Sequence, residues 1–332
     1  MLLICYGTRP EYIKVKPVVD KAKSDIKIKT LFTGQHKDLV DVESDYHIEV
    51  QDGVNRLDSI VSSVMNCLEF KKEGITAVLV QGDTTSAMAM ALSAFHNKVP
   101  VIHLEAGLRT YDLSEPYPEE ANRQIISRIA SVHLCPTNLA KERLINEKVC
   151  GIIEVVGNTV LDNLVNISTK KEKKVLVTMH RRENHINIKN WFMEIDKLAE
   201  QHSDHEFILP IHPNPAVSKY KNIFKHVKVV EPLQYDQLLK YLSNCSYVIT
   251  DSGGIQEESA FFRKPCLVCR KETERSEGLN NFSILCQNPK ELFKNFKKLN
   301  SLRMAGECPY GSGDSAEKIL KILKEMKQWQ KF

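Results

Sequence analysis

Short uninterrupted apolar runs alternate along this chain with longer stretches of helical periodicity. The runs LLICYG, KIKTLFTG, TAVLVQG, VPVIHLEAG, SVHLCPT and GIIEVVGN predict six strands in the first half. KKVLVTMH, EFILPIH, VKVVEPL, SYVITDSG, KPCLVCR and FSILCQN predict six more in the second. Runs rich in Val, Ile and Leu and bounded by Gly or Pro fit parallel strands covered on both faces. Segments 85–97, 119–130, 188–201 and 235–244 have the length and pattern of helices between those strands. Strand–helix alternation argues for an α/β fold with crossover helices. The charged run around 166–174 divides the two sets of six and reads as a solvated linker, which predicts two doubly wound Rossmann-like domains, 1–168 and 169–313. The terminal stretch 314–332 is helical in pattern, with Leu320 and Leu323 on one stripe.

Composition narrows the class. A chain of 332 residues is long enough for about two domains. A hydrophobic share of 42% with 27% charged residues is that of a globular protein. No apolar run reaches the roughly 18–20 residues of a membrane span. The N-terminus lacks a basic, apolar leader, so the expectation is a cytoplasmic protein without a membrane partner. A net charge of +4, dispersed along the chain, gives no footprint for nucleic acid. The nine Cys form no framework spacing, and several lie in apolar runs, as buried reduced thiols do. The Cys266–Cys269 pair has the C-x-x-C form but sits in a predicted strand, where positions three apart face opposite ways.

Ligands of open parallel sheets bind beyond the carboxyl ends of strands, so those ends carry the functional signal. In order they read GTRPE, TGQH, QGDTTS, HLEAGLRT, VGNT, TMHRREN, PIHPNP and TDSGGIQEE. Neither G-x-G-x-x-G after the first strand nor a Walker loop is present, which disfavours a dinucleotide redox enzyme or a P-loop NTPase. Thr8 and Glu11 have capping-box spacing with Pro10 in the first turn. That loop is either a plain capped helix or, with Arg9, an anion site at a helix N-terminus. Ser252, Gly253 and Gly254 offer backbone amides to a phosphate, and Glu257 and Glu258 follow inside the next helix. A carboxylate there complements the helix dipole or accepts ribose hydroxyls. His180, Arg181 and Arg182 end another strand, with Arg275 a further cation. Asp83 and Glu105 end adjacent strand segments. Glu119, Asn122 and Arg123 fall at i, i+3 and i+4 of one helix face, as an ordinary surface ion pair or as part of a site.

Taken together, the ordered motifs GTRPE, TGQH, QGDTTS, HLEAGLRT, PEEANR, VGNT, HRREN, HPNP, DSGGIQEE, TERSE and PYGSGDSAEKI resemble the non-hydrolysing UDP-N-acetylglucosamine 2-epimerase family across nearly the whole chain. The resemblance implies a glycosyltransferase-B-type fold with the active site in the interdomain cleft and the C-terminal helix returning to the first domain. It implies catalytic roles for Asp83, Glu105 and Glu119, supported by Arg123 and His180. It implies UDP binding by Arg9, Lys14, Ser252, Gly253, Gly254, Glu258 and Arg275, and matches Gln35, His36, Arg181 and His212 to an allosteric site. The implied reaction interconverts UDP-GlcNAc and UDP-ManNAc through loss of UDP to 2-acetamidoglucal, without NAD, other cofactor or obligatory metal, in a homodimer.

Four other readings compete. A 2-epimerase with the same machinery would act on another UDP-2-acetamido sugar, for example a 6-deoxy-L-hexose. A glycosyltransferase of the same fold would share the DSGG and EE side but need one base only. A hydrolysing epimerase would release the free sugar. A nucleotide-sugar sensor would bind without turnover. Within HLEAGLRTYDLSEPYPEEANR, Glu105 and Glu119 are assigned to the sugar, with Arg123 orienting Glu119. Asp112, Glu115 and Glu120 are assigned to the helix start or to solvent, and LRTYDLSEPY to a mobile flap.

Overall fold

The computed structural model describes residues 1–35, 42–51 and 53–329. His36 lies outside the described residues. The chain divides into two compact units, Met1–Asn163 with Gly311–Phe332, and Leu164–Tyr310.

The first unit contains β1 (Leu2–Tyr6), α1 (Arg9–Ala22), β2 (Ile28–Phe32), β3 (Tyr46–His47), α2 (Arg56–Met65), β4 (Ala77–Gln81) and α3 (Thr85–His96). It continues with β5 (Val101–Leu104), α4 (Glu119–Ile129), β6 (Val132–Cys135), α5 (Asn138–Asn146) and β7 (Ile152–Val155). The second holds β8 (Lys174–Thr178), α6 (Ile188–Gln201), β9 (Glu206–Pro210), α7 (Pro215–Ser218), β10 (Val227–Val230), α8 (Tyr235–Asn244) and β11 (Tyr247–Thr250). There follow α9 (Gly253–Phe261), β12 (Cys266–Val268), β13 (Ser283–Leu285) and α10 (Leu292–Lys298), and α11 (Ser315–Trp329) belongs again to the first unit. All twelve predicted strand segments are present. The thirteenth, β3, has two residues, too short for a periodicity to register.

Both sheets are parallel, in the orders β3-β2-β1-β4-β5-β6-β7 and β10-β9-β8-β11-β12-β13. The even residues of β1, Leu2, Ile4 and Tyr6, pack with Val15, Val18 and Val19 of α1 and with Ile319, Leu320 and Leu323 of α11. The odd residues Leu3 and Cys5 pack with Ile60 and Val64 of α2 and with Met90 and Ala94 of α3. Burial on both faces explains why this strand reads as an unbroken apolar run. The second unit's core forms around Trp191, Phe192, Ile195, Phe207 and Phe296. No helix among the described residues is long and apolar enough to cross a membrane.

α11 starts where Asp162 accepts hydrogen bonds from the backbone N–H groups of Ser315 and Ala316, at 3.2 and 2.8 Å. That anchor and the Ile319 stripe attach the last helix to the first unit. Reversal of strand order falls between β1 and β4 in one sheet and between β8 and β11 in the other. Such switch points open crevices at the carboxyl strand ends. The loops leaving them are Gly7–Thr8, Gly82–Thr84, Met179–Arg181 and Asp251–Ser252. Ile319 is fully buried. Replacing it with Ala should destabilise the first unit by about 2–5 kcal/mol, measured by denaturant unfolding.

Candidate active site

In the first unit, α4 holds the end of β4. Arg123, buried at 5% exposure, donates Nε–H to Asp83 at 2.7 Å, and its Nη2 lies 2.6 Å from the same carboxylate. Its Nη1 donates to Glu120 at 3.1 Å. Asn122 donates to the Asp83 carbonyl at 2.9 Å. Asp83 is therefore held at both main chain and side chain by one helix turn. The sequence assigned Arg123 to orient Glu119; these contacts put it between Asp83 and Glu120.

Glu120 departs from its expectation. It is fully buried, not a solvent or dipole residue. Its carboxylate accepts the backbone N–H groups of Thr110 and Tyr111 at 3.0 and 3.2 Å. Burial alone would raise its pKa. Hydrogen bonds from Gln124 and Thr110 and the Arg123 charge outweigh that and hold the carboxyl below its usual range. The stretch 110–120 is thus tied at its base, while Tyr111, Leu113 and Tyr117 on it are exposed.

Glu105 follows β5 with a φ of +66°, a left-handed backbone that costs a non-glycine residue about 1 kcal/mol or more. Lys14 reaches both its oxygens at 2.6 Å. Asn158 donates to it at 3.3 Å, and Gln81 also donates to it. Lys14, expected on the UDP side, here forms an ion pair with the Glu105 carboxylate. Arg9 is exposed on the first turn of α1. Glu119, the first residue of α4, is half-buried. His103 is fully buried, and its Nε2 bonds the Gly82 carbonyl at 2.8 Å. Burial lowers it to about 3, so it stays neutral and steadies the turn before Asp83.

In the second unit, the fully buried Asp251 is a fastener. It accepts the backbone N–H of His180 at 3.0 Å and of Arg181 at 2.9 Å, and the Asn184 amide at 3.0 Å. His180 stacks on His212 with ring centroids 5.4 Å apart. Burial holds His180 below its ordinary value despite the opposing Asp251 charge, and His212 falls for the same first reason. Ser252 caps α9 through its backbone geometry, and its side chain makes no capping bond. A Cβ on Gly253 would lie 2.4 Å from the Arg275 Nη1, so a side chain there would have to displace the guanidinium.

Arg275 is buried between Glu257, whose carboxylate lies 2.5 Å from its Nε, and Glu274. Arg270 joins Glu274 at 2.8 Å to Glu183 at 2.9 Å. The five side chains form an alternating ladder. Arg275, expected as a cation for UDP, has two carboxylate partners here, and Glu257 is its counter-ion. Glu258 accepts the Tyr235 hydroxyl at 2.8 Å. Gln35 accepts the Ser86 backbone N–H at 3.0 Å in the first unit, whereas Arg181 and His212 belong to the second. Cys266 and Cys269 are both buried, and desolvation pushes both thiols up. No group of three or more metal-ligating side chains occurs among the described residues.

The sequence missed Gln81, Asn158, His103 and the role of Asp251. All lie within or beside the strand-end motifs, but nothing local tells which atoms they bond.

Two parallel-sheet units of this kind define the fold class, the glycosyltransferase-B-type architecture that the structural neighbours share. The profile of the UDP-N-acetylglucosamine 2-epimerase family matches residues 20–324, and the chain belongs to that family. A UDP-N-acetylglucosamine 2-epimerase of Salmonella borreze is 35% identical, with 96% of this chain and 97% of that one aligned. The crystal structure of the Neisseria meningitidis UDP-GlcNAc 2-epimerase bound to UDP-GlcNAc superposes with a TM-score of 0.89 at 32% identity, covering 98% of this chain and 99% of that one. The Methanocaldococcus jannaschii enzyme in complex with UDP-GlcNAc and UDP gives 0.81 at 30% identity, covering 98% and 99%.

Removing the cation shared by Asp83 and Glu120 leaves a buried carboxylate uncompensated. Arg123→Met should destabilise the first unit by about 3–5 kcal/mol, read from denaturant unfolding, and Glu120→Gln in that background should recover part of the loss.

Proposed function

We propose that this protein interconverts UDP-N-acetylglucosamine and UDP-N-acetylmannosamine by eliminating and re-adding UDP. One observation carries the reading. The first unit pairs two strand-end carboxylates with cations, Asp83 with Arg123 and Glu105 with Lys14, in a chain 32% identical to an epimerase crystallised with UDP-GlcNAc.

The chemistry explains the residue types. C2–H of the sugar is not adjacent to a carbonyl, so its direct removal is very hard. Breaking the C1–O bond first sends the electron pair out with UDP and leaves an oxocarbenium-like centre at C1. C2–H is then acidic enough for a carboxylate, and the C–H electron pair closes the C1=C2 bond of 2-acetamidoglucal. In the return direction a proton is delivered to the opposite face of C2 while a phosphate oxygen of UDP attacks C1. Two acid–base groups on the sugar side satisfy this sequence. Asp83, Glu105 and Glu119 fill those roles, and Arg123 and Lys14 keep two of them oriented.

On the leaving-group side, Arg9, Ser252 and the Gly253–Gly254 amides meet the diphosphate. Arg275 joins them by exchanging a carboxylate partner for a phosphate. Glu258 accepts ribose hydroxyls beside the Tyr235 hydroxyl it already holds. His180, kept neutral by burial, supports UDP departure as a hydrogen-bond donor. Gln35, Arg181 and His212 are the described residues of the matched effector site. The reading needs no NAD or metal. It also carries a homodimer.

Incubation with UDP-N-acetylglucosamine in heavy water, followed by NMR, tests the proposal. UDP-N-acetylmannosamine should appear, with deuterium at C2 of both epimers. Release of free N-acetylmannosamine would point to hydrolysis instead. No exchange at C2, either here or with 6-deoxy C2-acetamido UDP-sugars, would reject the 2-epimerase reading.

A further inference from the structure

Glu11 occupies the third position of α1 and has capping-box spacing from Thr8. Only half of that box forms. Thr8 accepts the Glu11 backbone N–H at 3.4 Å, but the Glu11 carboxyl turns into the unit. One oxygen accepts the backbone N–H of Gly7 at 3.0 Å and the other accepts the Thr84 hydroxyl at 2.8 Å. Glu11 is only 3% exposed. A helix N-terminus needs no such reach, so the buried carboxyl requires another explanation.

Thr84 supplies it. Its hydroxyl caps α3 by accepting the Ala87 N–H at 3.1 Å, and it follows Asp83 directly. Asp83 is held from one side by Arg123 and Asn122. From the other side, the Glu11–Thr84 bond fixes the next peptide to the loop that carries Arg9. We propose that Glu11 is a positioning residue for Asp83, holding the β4–α3 turn against the β1–α1 loop so that this carboxylate keeps its place for proton transfer. The role rests on the 2-epimerase reading above.

The environment adds a distinguishing property. Desolvation raises Glu11 to about 7, hydrogen bonds from Thr84, Thr8 and Gly7 oppose the rise, and the Asp83 charge adds to it. Asp83, just past β4, and Cys5 on β1 are its titratable neighbours across the unit, while Arg9 and Lys14 flank it in sequence on α1. The buried Cys5 thiol is pushed up in turn and stays neutral. Below pH 7 Glu11 is mainly a neutral acid, and above it a second negative charge faces Asp83. The folded state holds this proton more tightly than the unfolded chain, so stability from this group declines as pH rises from about 4.5 towards 7.

A Gln side chain can keep the hook. Its oxygen accepts from Gly7, its amide donates to Thr84, and the threonine proton turns to Ser86, 3.2 Å away. Steady-state epimerisation by wild type, Glu11→Ala and Glu11→Gln across pH 5.5–8.5 forms the test. Glu11→Ala should lose at least about tenfold in kcat with KM changed less than about threefold, and Glu11→Gln should restore most of kcat. The wild-type kcat profile should contain a step near pH 7, and Glu11→Gln should follow the low-pH limb of the wild type throughout. A Glu11→Ala enzyme with wild-type kcat would overturn the proposal. So would a Glu11→Gln profile that keeps the wild-type step, which remains decisive if the alanine variant does not fold. An inactive wild type would refute the epimerase reading itself, a result distinct from both.

Discussion

A guanidinium between two carboxylates organises the strand ends of the first unit of this protein. Arg123 sits buried between Asp83 and Glu120. Removing charges from water costs several kcal/mol per ion, and only close, well-directed partners offset it. The constraint propagates outward. Asp83 can project from a strand end because Arg123 neutralises it. Glu120 can be fully buried because Arg123 and the Thr110 and Tyr111 amides satisfy it. The loop between β5 and α4 is thereby tied at Thr110 and Tyr111. Lys14 repeats the arrangement at Glu105, where the left-handed backbone is the local cost of aiming that carboxylate.

The second unit solves the same problem with a different emphasis. Asp251 spends its acceptors on backbone amides of the His180–Arg181 turn, so it shapes a loop instead of presenting charge. The ladder Glu183–Arg270–Glu274–Arg275–Glu257 joins that turn's neighbour to α9 and to the segment after β12. Its charges alternate, and all five members are at most 15% exposed. Under the proposed function, a diphosphate at the Gly253 turn would compete with these carboxylates for Arg275, and exchanging one anion for another would keep the guanidinium neutralised, sparing the desolvation cost of an unpaired cation.

The elements were legible in the sequence because their burial is two-sided and therefore periodic in a simple way. LLICY and AVLVQ could be nothing but interior strands. The two-residue β3 left no trace. Residue types at the strand ends were equally legible, since Gly, Asp, Glu, His and Arg cluster there. Partners were not. Glu119–Arg123 and Glu120–Arg123 are both compatible with helix spacing, and that spacing does not show that Arg123 also reaches Asp83 beyond a neighbouring strand. The resemblance implied that Lys14 and Arg275 meet the diphosphate, and nothing local in the sequence shows that Glu105, Glu257 and Glu274 reach them. Glu11 read as half of a capping box because its target, Thr84, lies 73 residues away.

The central claim is that the leaving diphosphate separates from C1 before configuration at C2 changes. Positional isotope exchange reads this event directly. UDP-N-acetylglucosamine carrying oxygen-18 in the bridge between C1 and the β-phosphorus is incubated with the protein, and the label is followed by phosphorus NMR. Reversible departure of UDP should scramble the label into the non-bridging β-phosphate positions, alongside epimerisation at C2. Epimerisation with the label retained wholly in the bridge would contradict the account.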